Sequence, residues 1–355
     1  MRILQLIDSL EAGGAERMAV NYANALQQEI SFSALCVTRK EGALKESLSP
    51  GVSYVFLNKK KAIDFKALFK LRSYVKKNSI EFIHAHSSSF FIAVLLKFLY
   101  PKVKIIWHDH YGDSEFLGKR FSKTLKLLST FFFLIISVNQ KLKVWAISEL
   151  QCKNVVYLPN FASFEKTEKS ETSLLGAEEK RILCLANLRA QKGHFYLLEI
   201  AAVIKNKFPD WTFHLVGKDF EDEYSNALRQ AILKMNLEAN VILYGSKDDV
   251  QNVIQQSDIC ILTSKSEGLP VALLEYGFNS KAVISTRVGE IGKVVNDGEN
   301  GFLVEYGDVA DFVSKLMKLI SNSEFRMTLG KNLNKTVLEN YSESGVLHHY
   351  IQSLH

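Results

Sequence analysis

Short apolar runs that alternate with helical stretches, in two separate series, limit how this chain can fold more than any other feature. The first series reads as strands at 2–7 (RILQLI), 33–38 (SALCVT), 53–57, 81–84 (EFIH), 103–107 (VKIIW), 132–138 and 155–158 (VVYL). The second starts after residue 180, at 181–186 (RILCLA), 212–216 (TFHLV), 240–244 (NVILY), 258–262 (DICIL) and 282–286 (AVIST). Helical periods fill the gaps, as at 15–28, 194–207, 224–236 and 309–321. Strands that are apolar almost throughout are buried on both faces, which means parallel sheets covered by helices. The stretch 161–180 is polar and aperiodic and reads as a linker. The expected architecture is α/β: two doubly wound, Rossmann-like domains, an N-terminal one at 1–165 and a C-terminal one at 166–339, facing across a cleft. A short helix over 340–355 is expected to pack back on the first domain.

Composition narrows the class. The N-terminus runs directly into a strand pattern, with no basic leader followed by a long apolar core. The most apolar stretches, 90–100 (FFIAVLLKFLY) and 131–138 (FFFLIISV), fall short of the roughly 20 residues a bilayer span needs. They read as a buried helix and a buried strand. Cys36, Cys184 and Cys260 sit in strand runs, and no two of the four cysteines have metal or disulfide spacing. A reducing cytoplasm is the expectation. Charge is uneven: residues 1–165 carry 23 Lys and Arg against 13 Asp and Glu, while the rest is slightly acidic. The basic residues cluster at Lys59–Lys61, Lys66, Lys70, Arg72, Lys76 and Lys77, and at Lys119, Arg120, Lys123 and Lys126. They are solvated helix faces or a patch for an anionic partner, such as the inner face of a membrane. No nucleic-acid motif accompanies them.

Open α/β sheets take ligands at the carboxyl ends of their strands, so the loops there are where chemistry belongs. After the first strand, Gly13 and Gly14 of DSLEAGGAER lead into a helix and leave backbone N–H groups approachable by an anion. The dinucleotide fingerprint G-x-G-x-x-G is missing, which disfavours nicotinamide and flavin chemistry. After 181–186, NLRAQKGHF puts Arg189 and Lys192 in one loop, where two cations can grip a diphosphate. After 258–262, TSKSEGLP precedes a helix in which Pro270 suits the first turn. Gly268 and Leu269 can offer N–H groups to phosphate oxygens. Val271, Leu274 and Phe278 mark an apolar stripe, and Glu275 is placed on that same stripe. Carboxylates repel phosphate, so Glu267 and Glu275 should grip the hydroxyls of a sugar instead. DFEDEY at 219–224 lacks the spacing of a committed metal site, and no Asp-x-Asp follows a strand.

These residues carry a resemblance. SEGLPVALLEYGFNSKAVISTRVGEIGKVVNDGENGFLV, with GGAER, FIHAHS at 82–87 and LPN at 158–160, resembles the retaining GT-B glycosyltransferases of family 4 over nearly the whole chain. The resemblance implies transfer of a hexose from a nucleoside diphosphate sugar to a hydroxyl of a lipid-linked or polysaccharide acceptor, in surface glycan synthesis. The donor would be held by Gly14, Arg189, Lys192, Gly217, Glu267, Gly268, Leu269 and Glu275. Within that set Glu275 falls on the ribose, Glu267 on the transferred sugar and Lys192 on the diphosphate. The family often has arginine where this chain has Asn187, so Arg189 is expected to supply the charge from two positions on. A family histidine near the reacting sugar falls on His108 or His110, with His108 favoured on strand length. His84 reads as a satisfied core histidine, His86 as remote from the donor, and His348 and His349 as tail residues without chemical duty. No metal or cofactor is expected. A nucleotide-sugar epimerase of the same fold, or a shell that binds nucleotide sugar without turnover, are the alternatives.

Overall fold

The apolar runs pair as parallel strands in two sheets. The structure is a computed structural model that describes residues 1–11, 13–112, 117–120, 122–161 and 171–355. One compact unit gathers Met1–Ser163 with Glu343–His355, and the other is Phe164–Ser342. Of the expected linker at 161–180, residues 162–170 lie outside the described residues, while the Glu171 and Thr172 N–H groups donate to Asp249 of the second unit.

The first unit holds β1 (Arg2–Ser9), β2 (Phe32–Lys40), β3 (Ser53–Phe56), β4 (Phe82–His86), β5 (Lys104–Asp109), β6 (Phe132–Ser137) and β7 (Val155–Tyr157). They lie in the order β3-β2-β1-β4-β5-β6-β7. Alternation sends Leu4, Leu6, Ile83, Ala85 and Trp107 to one face, where they pack on the helices Phe65–Lys77 and Phe90–Leu99. Ile7, Leu35 and Val37 pack on the helix Gly14–Glu29 on the other face. Among the described residues no helix is long and apolar enough to cross a membrane.

The second unit holds β8 (Arg181–Leu185), β9 (Thr212–Val216), β10 (Val241–Gly245), β11 (Ile259–Leu262), β12 (Ala282–Thr286) and β13 (Phe302–Val304), ordered β10-β9-β8-β11-β12-β13. Twelve of these strands coincide with the apolar runs. The edge strand β13 has no counterpart among those runs. In both sheets the winding reverses direction once, between β1 and β4 and between β8 and β11. Connections leave toward opposite faces on either side of such a point, and a crevice opens at the carboxyl ends of its two strands.

The short helix Val271–Phe278 corrects two expectations. Pro270 sits just before it in extended conformation and not in its first turn. The buried face carries Leu273, Tyr276 and Gly277, with Leu274 beside them. The Leu185 N–H donates to Tyr276 Oη (2.6 Å), and a side chain at Gly277 would strike Val337 and Leu333 of the helix Ser323–Asn340. At about 100° per residue, Glu275 falls roughly opposite that face. It is half-buried, and the buried acid of the pair is Glu267, 5% exposed.

Candidate functional site

In the second unit the loops after β8 and β11 rise side by side from the reversal point and are stitched together through their backbones. The Lys265 N–H donates to Gln191 O (2.7 Å) and Thr263 Oγ1 to Lys192 O (3.1 Å). Gly193 makes the approach possible. Its φ of 69° is left-handed, and a Cβ there would stand 2.0 Å from the Thr263 carbonyl oxygen. Thr286 Oγ1 donates to Ser264 O (2.7 Å), and the Glu290 N–H donates to Gly268 O (2.9 Å), so the loop after β12 braces the other side.

This frame brings Lys192 and Glu267 together. Lys192 Nζ lies 2.6 Å from Glu267 Oε1, and Ser264 Oγ donates to the same oxygen at 2.6 Å. The Glu267 side chain is 7% exposed and the Lys192 side chain 23%. The carboxylate is thus buried with a cation and a hydroxyl as partners, which a buried charge requires. Two residues expected to serve different parts of a donor are, in this state, partners of each other. Gly268 is half-buried and its N–H has no partner among the described residues, while Leu269 is buried.

Other expected donor residues divide. Arg189 is exposed, with its guanidinium 4.5 Å above the Phe220 ring and Lys218 Nζ 5.0 Å from the same ring. These two cations flank the carboxyl ends of β8 and β9. Asn187 Oδ1 accepts from the Lys218 N–H (2.8 Å), so it holds the loop that carries one of them. Gly217 already uses its N–H on Gly245 O (3.0 Å), and a side chain there would strike the Ala186 carbonyl. Close packing of two strand ends accounts for a glycine here. Sequence reasoning missed His194, which is fully buried at the start of the next helix with Nδ1 3.1 Å from Tyr224 Oη. The acids of DFEDEY have structural work: Asp222 caps the helix Glu223–Lys234 through the Ser225 N–H, and Asp219 pairs with Arg229.

In the first unit, Gly14 opens the helix Gly14–Glu29 with no side-chain cap and with open space around it. Nearby, four imidazoles form two stacked layers. His84 Nε2 meets His108 Nδ1 at 3.0 Å, and His86 Nδ1 meets His110 Nε2 at 2.9 Å. His84 stacks on His86 with centroids 4.3 Å apart, and His108 lies over His110 at 4.0 Å. The array follows from the pleat. His84 and His86 are two apart on β4 and share a face, and His108 pairs with His86 across β4 and β5. Gln5 on β1 pairs with His84, and its Oε1 lies 2.8 Å from His86 Nε2. Tyr350 of the C-terminal helix Glu343–Gln352 sets its hydroxyl 3.1 Å from His84 Nδ1. His84, His86 and His108 come close enough for a metal ion, within 4.8 Å of one another. Their near-parallel planes, 14° to 32° apart, aim the lone pairs past one another and suit hydrogen bonds better than convergence on one ion.

Burial distinguishes the two candidate histidines. That residue lies inside β5 with no exposed surface, while His110 follows the strand and is half-buried. Asp109 between them is clamped by Arg120 through two bonds of 2.7 and 2.8 Å, which fixes the strand end. Arg120, 8% exposed, and Lys59, 5% exposed, therefore leave the expected solvated basic patch. His348 and His349 are exposed on the tail helix.

A family model described as Glycosyltransferase Family 4 matches residues 12–166, and one described as Glycosyl transferases group 1 matches residues 165–336. An uncharacterized glycosyltransferase of Haemophilus influenzae is 27% identical over 90% of each chain. The UDP-Gal:alpha-D-GlcNAc-diphosphoundecaprenol alpha-1,3-galactosyltransferase of Escherichia coli is 24% identical over 93% of this chain and 90% of its own. Among solved structures, Anabaena Alr3699/HepE in complex with UDP-glucose superposes with a TM-score of 0.82 at 18% identity, covering 100% of this chain and 99% of that one. The likeness establishes a GT-B fold.

The buried histidines make stability depend on pH. Burial holds His84, His86 and His108 well below 6.5, His110 at about 3, and His194 and His214 at about 4. Below pH 6.5 the unfolded chain binds protons that the folded chain refuses, so stability is complete above that pH and is lost as pH falls from there toward 4. Each such group contributes a slope of up to about 1.4 kcal/mol per pH unit. Urea unfolding at pH 7.5 and 5.5 should show a marked loss at the lower pH, and equal stabilities would contradict the buried neutral array.

Proposed function

The chain belongs to the family-4-like GT-B glycosyltransferases, and from that premise we propose that it moves a hexose from a nucleoside diphosphate sugar to an acceptor hydroxyl with retention of the anomeric configuration. The observation that carries this reading is the Lys192–Glu267 pair at the β8/β11 reversal point. As the glycosidic bond breaks, the leaving diphosphate gains charge. Lys192 and the Gly268 N–H neutralise it, with Arg189 at the rim. Glu267 takes a hydroxyl of the transferred sugar, and the half-buried Glu275 takes those of the ribose. No metal or cofactor is required in this scheme, because the cations supply the positive charge. Uridine is the favoured base: the solved HepE complexes hold UDP or UDP-glucose, and the name of the Escherichia coli relative specifies UDP-Gal. That relative's acceptor carries a diphosphoundecaprenol, which supports a lipid-linked acceptor and a role in surface glycan synthesis. His110, and not His108, meets a hydroxyl of the sugar substrate.

A preorganised donor aimed at developing charge is typically worth about 2.7 to 4 kcal/mol at the transition state. Lys192→Ala should therefore lower kcat by about two to three orders of magnitude, in an assay insensitive to EDTA. The donor can be found by screening UDP-sugars for protection against heat unfolding, since a ligand of the native state stabilises it by mass action. Full kcat in Lys192→Ala, or collapse in EDTA, would contradict the scheme. Isomerisation of the donor without acceptor would favour the epimerase reading, and donor binding without any turnover the non-catalytic one.

A lipid-linked acceptor places the enzyme at a membrane, on the cytoplasmic face in this reading. On the helix Phe65–Lys77, Phe65 (68% exposed) and Phe69 (54%) stand one turn apart with Lys66 and Lys70 beside them. An apolar ridge collared by lysines suits an anionic lipid surface. The protein should sediment with anionic liposomes at low salt, and the double variant Phe65→Ser, Phe69→Ser should bind far less while keeping its fold. Equal binding by that variant would exclude the ridge.

A further inference from the structure

Each hydrogen-bonded layer of the imidazole array ends on a side chain that is not a histidine, and for one layer that end determines where the protons sit. Gln5 Oε1 can only accept a hydrogen bond, so His86 Nε2 must carry the proton in their 2.8 Å contact. A neutral imidazole has one N–H, so His86 Nδ1 holds a lone pair. The 2.9 Å contact from His86 Nδ1 to His110 Nε2 then needs a donor, and His110 Nε2–H is the group in place. His110 in turn has its lone pair at Nδ1. That atom makes no hydrogen bond to any described residue, and His110 is half-buried at the carboxyl end of β5. His86, with no exposed surface, and Gln5, equally buried, touch no solvent and so no substrate.

We propose that Gln5 and His86 are positioning residues that lock His110 as its Nε2–H tautomer and present its Nδ1 as a hydrogen-bond acceptor to a hydroxyl of the sugar substrate. The inference rests on the reading that His110 meets that sugar. A lock is useful because a free neutral imidazole divides between two tautomers, only one of which accepts at a given nitrogen. Burial keeps all the rings neutral in the working pH range, so proton placement and not charge is what the array controls. The second layer runs from the Tyr350 hydroxyl through His84 to His108, and because a hydroxyl can donate or accept it sets no tautomer there.

Two substitutions of Gln5 separate positioning from packing. Gln5→Glu keeps an acceptor beside His86, whereas Gln5→Met fills the same space without one. A packing role favours methionine, because a buried carboxylate is costly and methionine fills the same space with apolar atoms. The relay favours glutamate. Gln5→Met is expected to unfold near the wild-type midpoint and to keep its donor KM, yet to lose kcat on the order of tenfold, the scale of a lost orienting partner. Gln5→Glu should retain most of kcat even if it is less stable. Independently of turnover, 15N spectra of labelled imidazoles should show His110 Nε2 as the protonated nitrogen in the wild type and a mixture in Gln5→Met. Protonated Nδ1 in the wild type would overturn the relay, as would full kcat in Gln5→Met beside an impaired His110→Ala; either result leaves the proposed reaction standing. Wild-type kcat in His110→Ala would instead remove His110 from the sugar, and the proposal with it.

Discussion

The arrangement of the loops after β8 and β11 depends on a buried carboxylate that has a cation and a hydroxyl as its partners. Glu267 is held by Lys192 and Ser264, and each of those is fixed by a loop backbone bonded to the neighbouring loop. Two unit charges 4 Å apart attract by about 4 kcal/mol at the effective dielectric of a protein surface. Desolvation offsets much of that gain, so such a pair contributes little net stability while both partners remain present. A pair of this kind is exchangeable. A diphosphate can take over the lysine if the released carboxylate finds hydroxyls, and a nucleotide sugar offers both groups in one molecule. The proposed exchange needs a frame that persists while its charged side chains change partners, and backbone bonds with two threonine hydroxyls supply one.

The first unit applies a different economy. Between its sheet and the helices that cover it lie three buried imidazoles, a glutamine and two tyrosines, where aliphatic side chains would pack as well. Apolar packing cannot account for such a cluster, since burying polar groups is costly and Tyr22 Oη and His108 Nε2 recover no hydrogen bond among the described residues. The recovered bonds run in lines that begin in the core and, for His86, end at the strand terminus. The cost is sensitivity to acid, because every buried ring resists protonation.

Much of this could be read from the chain. Period and apolar content located twelve strands, and the loops that follow them contain the lysine, the acids and the glycines now seen at the carboxyl ends. Three things were hidden, each for a physical reason. The sequence places Glu275 on a buried stripe because Val271, Leu274 and Phe278 are apolar; Val271 and Leu274 are buried, but the helix also packs through Leu273, Tyr276 and Gly277, and a glycine carries no hydrophobic signal although its bareness admits a neighbouring helix. Lys59 and Arg120 were counted as surface charge because sequence does not show that Arg120 has Asp109 as a partner or that burial surrounds Lys59. The imidazole array was overlooked although its signal was present. His-x-His at 84 and 86, and again at 108 and 110, is the two-residue period that puts side chains on one face of a strand.

Binding of UDP alone, measured by calorimetry on the wild type and on Glu267→Gln, tests most directly whether Lys192 is shared between the carboxylate and the diphosphate. The exchange account predicts that Glu267→Gln binds UDP several-fold more tightly, because its lysine is no longer held and a repelling charge is gone, while turnover of the UDP-sugar falls. Weaker UDP binding by Glu267→Gln would contradict it, for then the carboxylate would be holding the lysine in place for the phosphate instead of competing with it.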